Sequence, residues 1–434
     1  MRYRIEKDLL GQRQVPAEAY YGIETLRGKE NFEITKRGIC RQMIKALAIV
    51  KKAAAKANVD ALNIDEKVGK AIMLACDEIL NGRLHGQFVT DLIQGGAGTS
   101  MNMNANEVIA NRANELLGGK KGVYDFVHPN DHVNFGQSTN DVIQTAGKIA
   151  IVKQLKKLQV ELKKLYNAYL NKATEFKDVI KMGRTHLQEA LPLRLGQEFS
   201  AYASALNRDM KRIDVAIEAL LEVNMGATAI GTSLNANEKY RKKVIYYLNK
   251  FSGEQIKPAK DLIDATRNFD TFGQASSTLK LLALNLSKTA SDLRLMASSG
   301  SNGFSEITLP HVQPGSSIMP GKYNPVVPEM VNQVCFYVIG LDVTITKAIE
   351  AGQLELNVFG PIILMSLFEQ ITTLRRATRT FHNLAISGLI ANTTKYKTDN
   401  SIYLITALSP HLGHEEACLS LIHISEPTRP RLIS

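Results

Sequence analysis

The fold is decided by residues 141–165, which read DVIQTAGKIAIVKQLKKLQVELKKL. Apolar residues recur in this stretch at steps of three and four: Ile151, Leu155, Leu158, Leu162 and Leu165. Such spacing places them along one face of a helix, and the lysines of the same stretch lie on the opposite, solvated face. The pattern therefore predicts a long helix with coiled-coil-like packing in a bundle.

The same period returns in three later segments, which run from Phe199 to Leu220, from Leu279 to Met296 and from Leu367 to Phe381. No β-rich stretch rivals these helices, and no GxGxxG motif follows a predicted strand. We therefore predict an all-α fold with a long central helix bundle, and not a nucleotide-binding fold. Residues 334–341 (VCFYVIGL) are apolar on nearly every side. We therefore predict that this helix is buried in a core larger than the helix bundle of one chain, and that the protein is a homo-oligomer.

The charge pattern favours a small anionic substrate. The chain of 434 residues has a formal net charge of +11 at pH 7, with 44% hydrophobic residues. Its basic residues are spread out and lack interleaved aromatic residues, so we predict no nucleic-acid partner. A positive field of this kind would instead attract a small anion.

The sequence lacks the patterns typical of a membrane span, a signal peptide, a disulfide framework or a metal site. No continuous apolar run has the length of a membrane span, and the first residues lack the apolar core of a signal peptide. We therefore predict no membrane association and a cytoplasmic location. Four scattered cysteines and nine histidines show neither CxxC nor HExxH spacing, so we predict no disulfide framework and no metal site.

Four polar clusters lie at ends of the predicted helices. They are QGGAGTS at 94–100, GQSTND at 136–141, GRTHLQE at 183–189 and GSSIMPGKYNP at 315–325. In the first, glycines precede a helix that Thr99 or Ser100 is expected to cap; such a start binds anions, although a plain capped helix is the simpler interpretation of that motif alone. In the last, glycines and free backbone N–H groups suit a small anion, whereas a solvated surface loop is the alternative. A long helix keeps its two ends far apart, so clusters at opposite ends of one bundle can meet only between chains.

The loop at 315–325 resembles the signature of the fumarase/aspartase superfamily. The other three clusters are similar to the remaining motifs of that superfamily, in the same order, and the resemblance runs from residue 3 to residue 416. It implies a small dicarboxylate substrate, no cofactor, and a homo-oligomer, expected to be a tetramer, whose active sites are shared between chains.

Within the superfamily, four local features resemble the aspartase branch more than the class II fumarases. They are YRIEKDLLG at 3–11, YYGIETLR at 20–27, STND at 138–141 and NPVVPE at 324–329. The implied reaction is the reversible removal of ammonia from L-aspartate to give fumarate, through an aci-carboxylate intermediate. Class II fumarase remains the alternative, and a catalytically idle structural oligomer is an alternative of a different class.

The resemblance also implies roles for residues of the four clusters. The expected catalytic residues are Ser316 as general base, His186 and Thr99. The expected donors to the β-carboxylate are Thr99, Ser138, Thr139 and Ser317. The α-carboxylate is expected to be bound by Lys322, Asn324 and Thr185. Asn140 and His186 are expected near the amino group, although His186 alternatively has only a structural role.

A domain order follows from the same resemblance. It places a mostly helical N-terminal domain at 1–139, the central bundle at 140–391 and the start of a small C-terminal domain at 392–417. Residues 418–434 contain two prolines and show no helical period. We expect them to be a non-native tail that truncates the last domain. Tyr323 is bulkier than the valine that usually follows the loop lysine in this superfamily.

Overall fold

The computed structural model describes residues 2–299, 303–395 and 409–425, and within these ranges α-helices dominate. The helices are α1 (Ile23–Asn31), α2 (Arg41–Asp60), α3 (Glu66–Leu80), α4 (Thr99–Leu116), α5 (Thr139–Glu175), α6 (Leu195–Leu220), α7 (Glu238–Ser252), α8 (Leu262–Arg267), α9 (Asp270–Met296), α10 (Val326–Glu350), α11 (Gly360–Phe381), α12 (Ser409–Leu412) and α13 (His414–Ser425). The strands are β1 (Tyr3–Asp8), β2 (Gly11–Pro16), β3 (Ile180–Thr185), β4 (Gln188–Arg194), β5 (Glu222–Val223), β6 (Lys257–Pro258), β7 (Ile307–Thr308) and β8 (Ile390–Ala391). The strands form only two-stranded sheets, so the predicted all-α class is confirmed.

The chain divides into two compact units, each assembled from three segments. Unit 1 comprises Met1–Gln159, Lys211–Leu281 and Tyr337–Leu374, and unit 2 comprises Val160–Met210, Leu282–Phe336 and Arg375–Ser434. The predicted domain boundaries after residues 139, 391 and 417 stay predictions. Residues 396–408 and 426–434, which belong to the last two predicted segments, lie outside the described residues.

The apolar stripe that predicted the long helix lies inside the protein. Helix α5 has 37 residues, which corresponds to about 55 Å at 1.5 Å per residue. Its five stripe residues are at most 1% exposed: Ile151, Leu155, Leu158, Leu162 and Leu165. The predicted long helix with a buried apolar stripe is therefore confirmed. The expected solvated lysine face is wrong at Lys148, which is buried like all of residues 141–152 and donates to the carbonyl of Glu222 at 2.7 Å.

Helix α10 keeps part of its apolar surface exposed in the single chain. Val338 and Ile345 are fully buried, whereas Phe336 is 62% exposed, Tyr337 47% and Val343 59%. Burying such side chains removes apolar surface from water and is favourable.

Helix α10 is also long and apolar enough to cross a membrane, with a mean hydropathy of 1.3. A single helix of this kind is weak evidence for a membrane span, because the core helices of soluble proteins meet the same criterion.

Within unit 1 a buried carboxylate holds the start of α1. Glu107 of α4 accepts the backbone N–H groups of Gly22 at 2.8 Å, Glu24 at 2.9 Å and Thr25 at 3.0 Å, and also the Thr25 hydroxyl. The first N–H groups of a helix have no partner within the helix, and the helix dipole favours negative charge at this end. Glu107 therefore takes the place of an N-cap side chain, since Gly22 offers none.

Helix α13 continues past residue 417, where the predicted C-terminal domain segment ends, to Ser425. The first turn of α13 contains Glu415 and Glu416, and acidic residues there stabilise a helix through its dipole. The non-native origin of residues 418–434 stays a prediction.

Replacement of Glu107 tests its role in α1. Glu107→Ala leaves several buried donors without an acceptor, which costs roughly 2–5 kcal/mol and should lower the melting temperature by roughly 5–10 °C. The measurement is thermal unfolding followed by circular dichroism. Glu66→Ala is the control, because Glu66 pairs with Lys70 on the surface and both side chains are well exposed. Equal melting temperatures for the two variants would contradict the role.

Candidate active site

The first cluster lies at the start of α4 in unit 1. Gly98, with φ of +96°, is the residue before the helix, and Thr99 is already helical. The hydroxyl of Thr99 donates to the carbonyl of Gly96 at 2.7 Å. The expectation that Thr99 or Ser100 caps α4 is therefore wrong. A Cβ atom at position 98 would lie 3.2 Å from the side chain of Ile143 on α5. This close packing and the positive φ both favour glycine at this position.

The second cluster lies beside the first, at the start of α5. Asn102, in the first turn of α4, donates to the hydroxyl oxygen of Thr139 at 3.3 Å. The hydroxyl of Ser138 accepts the N–H of Asn140 at 3.2 Å, and the Asn140 amide donates to the carbonyl of Ala229 at 2.6 Å. Unit 1 therefore brings two of the four predicted clusters together.

Asp141, the last residue of the second cluster, accepts hydrogen bonds that hold the cluster in place. Its carboxylate accepts the N–H groups of Ser138 at 3.0 Å, Gly226 at 3.1 Å and Thr228 at 3.0 Å. The residue is fully buried, and burial raises the pKa of its carboxyl group to about 6. The three N–H donors favour the ionised form and oppose that shift. Asp141 thereby joins the turn at Ser138 to the loop that contains Gly226 and Thr228.

A buried cation lies in the same network. The ammonium group of Lys51, on α2, donates to the side-chain oxygens of Asn134 at 2.8 Å and Gln137 at 3.1 Å. The side chain is fully buried, and burial lowers its pKa to about 7 although the charge of Asp141 acts in the opposite direction. Asn134 also accepts from Asn102 at 3.2 Å. Lys51 therefore belongs to the hydrogen-bonded support of the first two clusters.

The third cluster is the turn between β3 and β4 in unit 2. His186 and Leu187 form the turn, with φ of +55° and +62°. Two successive positive φ values are the geometry of a two-residue hairpin turn, which glycine and asparagine adopt with less strain. Thr185 and His186 are both exposed. Thr185 lines a cavity of about 500 Å³ in this unit.

The fourth cluster, residues 315–325, is here called the Ser316 loop, and it also lies in unit 2. Its base is closed by two hydrogen bonds of 2.8 Å, from the N–H of Gly315 to the carbonyl of Lys322 and from the Asn324 amide to the carbonyl of Gly315. The hydroxyl oxygen of Ser316 accepts the N–H groups of Ile318 at 3.2 Å and Met319 at 2.9 Å. The expectation that the N–H groups of this loop are free for a ligand is therefore wrong for these two, which point at the Ser316 oxygen.

The remaining residues of this loop are open to solvent. Ser317 and Lys322 are exposed, and Lys322 and Asn324 line a cavity of about 470 Å³. No lining residue of this cavity lines the one at Thr185. The single chain thus places the third and fourth clusters in one unit but in separate cavities. Within the described ranges, no group of three or more histidine, cysteine or acidic side chains is arranged to hold a metal ion.

Two supporting residues, Lys51 and Glu306, were not singled out from the sequence, and Asp141 was quoted within its cluster without a role of its own. Glu306 is buried in unit 2 and forms ion pairs with Arg184, next to Thr185, and with Lys181 at 2.8 Å. A signal for Lys51 was present, because this lysine follows Leu47 by four positions, on the face of α2 that packs inward. Glu306 offered no comparable signal, since it precedes a strand of only two residues.

Comparison with known proteins fits this arrangement. A family profile described as "Lyase" matches residues 11–340. The aspartate ammonia-lyase of Bacillus subtilis (strain 168) is 54% identical over 417 residues, which cover 96% of this chain and 88% of that protein. The aspartate ammonia-lyase of Escherichia coli (strain K12) is 48% identical over 416 residues, which cover 95% and 87%. The chain therefore belongs to this lyase family.

Solved structures agree with the fold. The cobalt-bound fumarate lyase:delta crystallin of Brucella melitensis has a TM-score of 0.94 and 46% identity, over 97% of this chain and 92% of that chain. The class II fumarase of Schistosoma mansoni has a TM-score of 0.95 and 35% identity, over 98% and 93%. These similarities confirm the fumarase/aspartase-like fold predicted from the four clusters.

Replacement of Lys51 tests the buried cation. A folded-state pKa of about 7 lies below the value of about 10.4 in an unfolded chain, so between these two values the unfolded state binds the extra proton. Stability from this group therefore rises with pH from about 7 to about 10. Lys51→Met should remove that contribution, which has a slope of at most about 1.4 kcal/mol per pH unit.

The measurement is the melting temperature of both proteins at several values between about pH 7 and pH 9.5. The variant should lose stability relative to the wild type as the pH rises. Lys70→Met is the control, because Lys70 is exposed and pairs with Glu66 on the surface. Parallel curves for Lys51→Met and the wild type would contradict a lowered pKa.

Proposed function

We propose that this chain is an aspartate ammonia-lyase, which converts L-aspartate reversibly to fumarate and ammonium. The observation that carries the proposal is an identity of 48–54% over at least 95% of the chain to proteins with that activity in their names. The chain is thus expected to act as a carbon–nitrogen lyase on a small dicarboxylate, and a cytoplasmic location remains a prediction.

Ser316 is proposed as the general base of this reaction. In its ionised form it takes a proton from the carbon next to the β-carboxylate, and the electron pair of that C–H bond moves into the carboxylate as an aci-carboxylate. The electrons then return to form the carbon–carbon double bond, and the bond to the amino group breaks to release ammonia. Serine is a weak base unless its anion is stabilised, and the N–H groups of Ile318 and Met319 are placed to do this.

The other predicted residues would bind the two carboxylates and the amino group. The developing charge on the β-carboxylate requires nearby donors, which are proposed to be Thr99, Ser138, Thr139 and Ser317. Lys322, Asn324 and Thr185 are proposed to bind the α-carboxylate. Asn140 and His186 are proposed to lie near the amino group. Interactions that strengthen as the charge develops would contribute most to the rate.

A complete site would need more than one chain. The first two clusters lie in unit 1 and the last two in unit 2, and the superfamily resemblance implies that each site draws its clusters from several chains. We therefore propose a homo-oligomer, a tetramer by the superfamily resemblance, with active sites shared between chains. The exposed Phe336, Tyr337 and Val343 of α10 support an interface between chains.

The substrate distinguishes the proposal from its alternatives. The purified protein should form fumarate, seen by its ultraviolet absorbance, together with ammonium from L-aspartate, and should form little or none from L-malate. Turnover with malate alone would establish a fumarase instead, and turnover with neither would favour a structural oligomer.

Ser316→Ala should lower turnover by roughly 1,000-fold or more while the melting temperature stays unchanged. Turnover near the wild-type rate in that variant would remove Ser316 from the mechanism.

Complementation tests the sharing of sites between chains. Ser316→Ala and Ser138→Ala should each be nearly inactive, because each removes a group from every site. In co-expressed mixed oligomers, about one quarter of sites should receive both intact residues from different chains, if chains assort at random. Activity should therefore reappear in the mixture.

The matched control pairs Ser316→Ala with Ser317→Ala. These residues lie on one loop, so they enter a site from the same chain and no mixed site can contain both intact. This mixture should stay inactive. No recovery in the first mixture, despite proven mixing of chains by mass spectrometry, would show that Ser138 and Ser316 do not complete one site from different chains.

A further inference from the structure

His311 and Tyr323 form a stacked pair of rings at the base of the Ser316 loop. Their ring centroids are 3.7 Å apart and their planes differ by 4°. His311 lies in the segment that enters the loop, and Tyr323 follows Lys322 in the segment that leaves it. Both rings line the same cavity as Lys322 and Asn324. The stack therefore connects the two arms of the loop in the lining of that cavity.

The other contacts between the two arms converge on one residue. The N–H of Gly315 donates to the carbonyl of Lys322, and the carbonyl of Gly315 accepts from Asn324. A Cβ atom at Gly315 would lie 2.5 Å from the Lys322 oxygen, so the arms approach most closely there. The stack at His311, four positions earlier, adds a second point of contact between the arms.

Lys322 depends on such support more than a paired lysine would. Within the described part of the chain, no carboxylate forms an ion pair with its ammonium group. Its side chain is a flexible four-carbon stem. The region that the ammonium group can reach therefore depends on where the backbone at 322 and 323 holds the start of that stem.

We propose that His311 and Tyr323 are positioning residues, whose stacked rings fix the backbone at Lys322 and so direct its ammonium group toward the substrate carboxylate. The proposal rests on the function given above, in which Lys322 binds the α-carboxylate. A group that binds the α-carboxylate equally before and during proton removal affects KM and leaves kcat nearly unchanged. The stack should therefore act on KM.

The experiment measures kcat and KM for L-aspartate in single and double variants. Tyr323→Val and His311→Ala should each raise KM roughly three- to tenfold, the range expected for one aromatic contact, with kcat changed by less than about twofold. The double variant should show the same rise as either single one, because a stack is lost only once. Tyr323→Phe keeps the ring and should retain nearly the wild-type KM. Tyr246→Val, which replaces an exposed tyrosine in unit 1, is the control and should have no effect.

Several outcomes would overturn the proposal. One is an unchanged KM in both single variants. Another is a rise in KM in the double variant that equals the product of the two single rises. The third is a rise in KM in Tyr323→Phe as large as in Tyr323→Val, which would assign the effect to the hydroxyl. Failure here is distinct from failure of the proposed function. If Ser316→Ala abolishes turnover of L-aspartate while Tyr323→Val leaves KM unchanged, only the positioning role is lost.

Discussion

The buried carboxylate of Asp141 is the contact on which the order of the first two clusters depends. Removing a carboxylate from water is unfavourable, and the raised pKa of Asp141 reflects that cost. Three backbone N–H groups, one from the residue before α5 and two from a loop more than eighty positions later, offset part of it. Because Asp141 lies in the first turn of the longest helix, the same contact sets where that helix begins. The polar side chains just before it are thus held by a core interaction, although they are themselves partly open to solvent.

Much of the fold could be predicted because a helix with one buried face leaves a local record. The stripe from Ile151 to Leu165 lies within one helix, and its spacing alone indicates both the helix and its inner face. The cap of α4 could not be predicted in this way. It depends on the φ of Gly98 and on the contact with Ile143, and neither is visible in the sequence near Thr99.

The family could be predicted from the sequence, whereas the internal contacts of the candidate site could not. Similarity to known lyases confirmed the family that the four motifs indicated, and the roles of the individual site residues stay predictions. The direction of the N–H groups of Ile318 and Met319 depends on how the Ser316 loop folds on itself. The role of Lys51 depends on α2 lying against the segment that contains Asn134 and Gln137. Such contacts join residues far apart in the chain, so no local pattern reports them.

The two N–H groups that donate to the Ser316 hydroxyl limit what its oxygen can accept. A neutral serine hydroxyl oxygen has two lone pairs, and Ile318 and Met319 occupy both. A neutral Ser316 in this geometry has no electron pair left to accept a proton from carbon. Ionisation of the hydroxyl supplies a third pair without disturbing either hydrogen bond. In the role proposed for Ser316 as general base, proton acceptance therefore belongs to the alkoxide, and the hydroxyl must lose its own proton first.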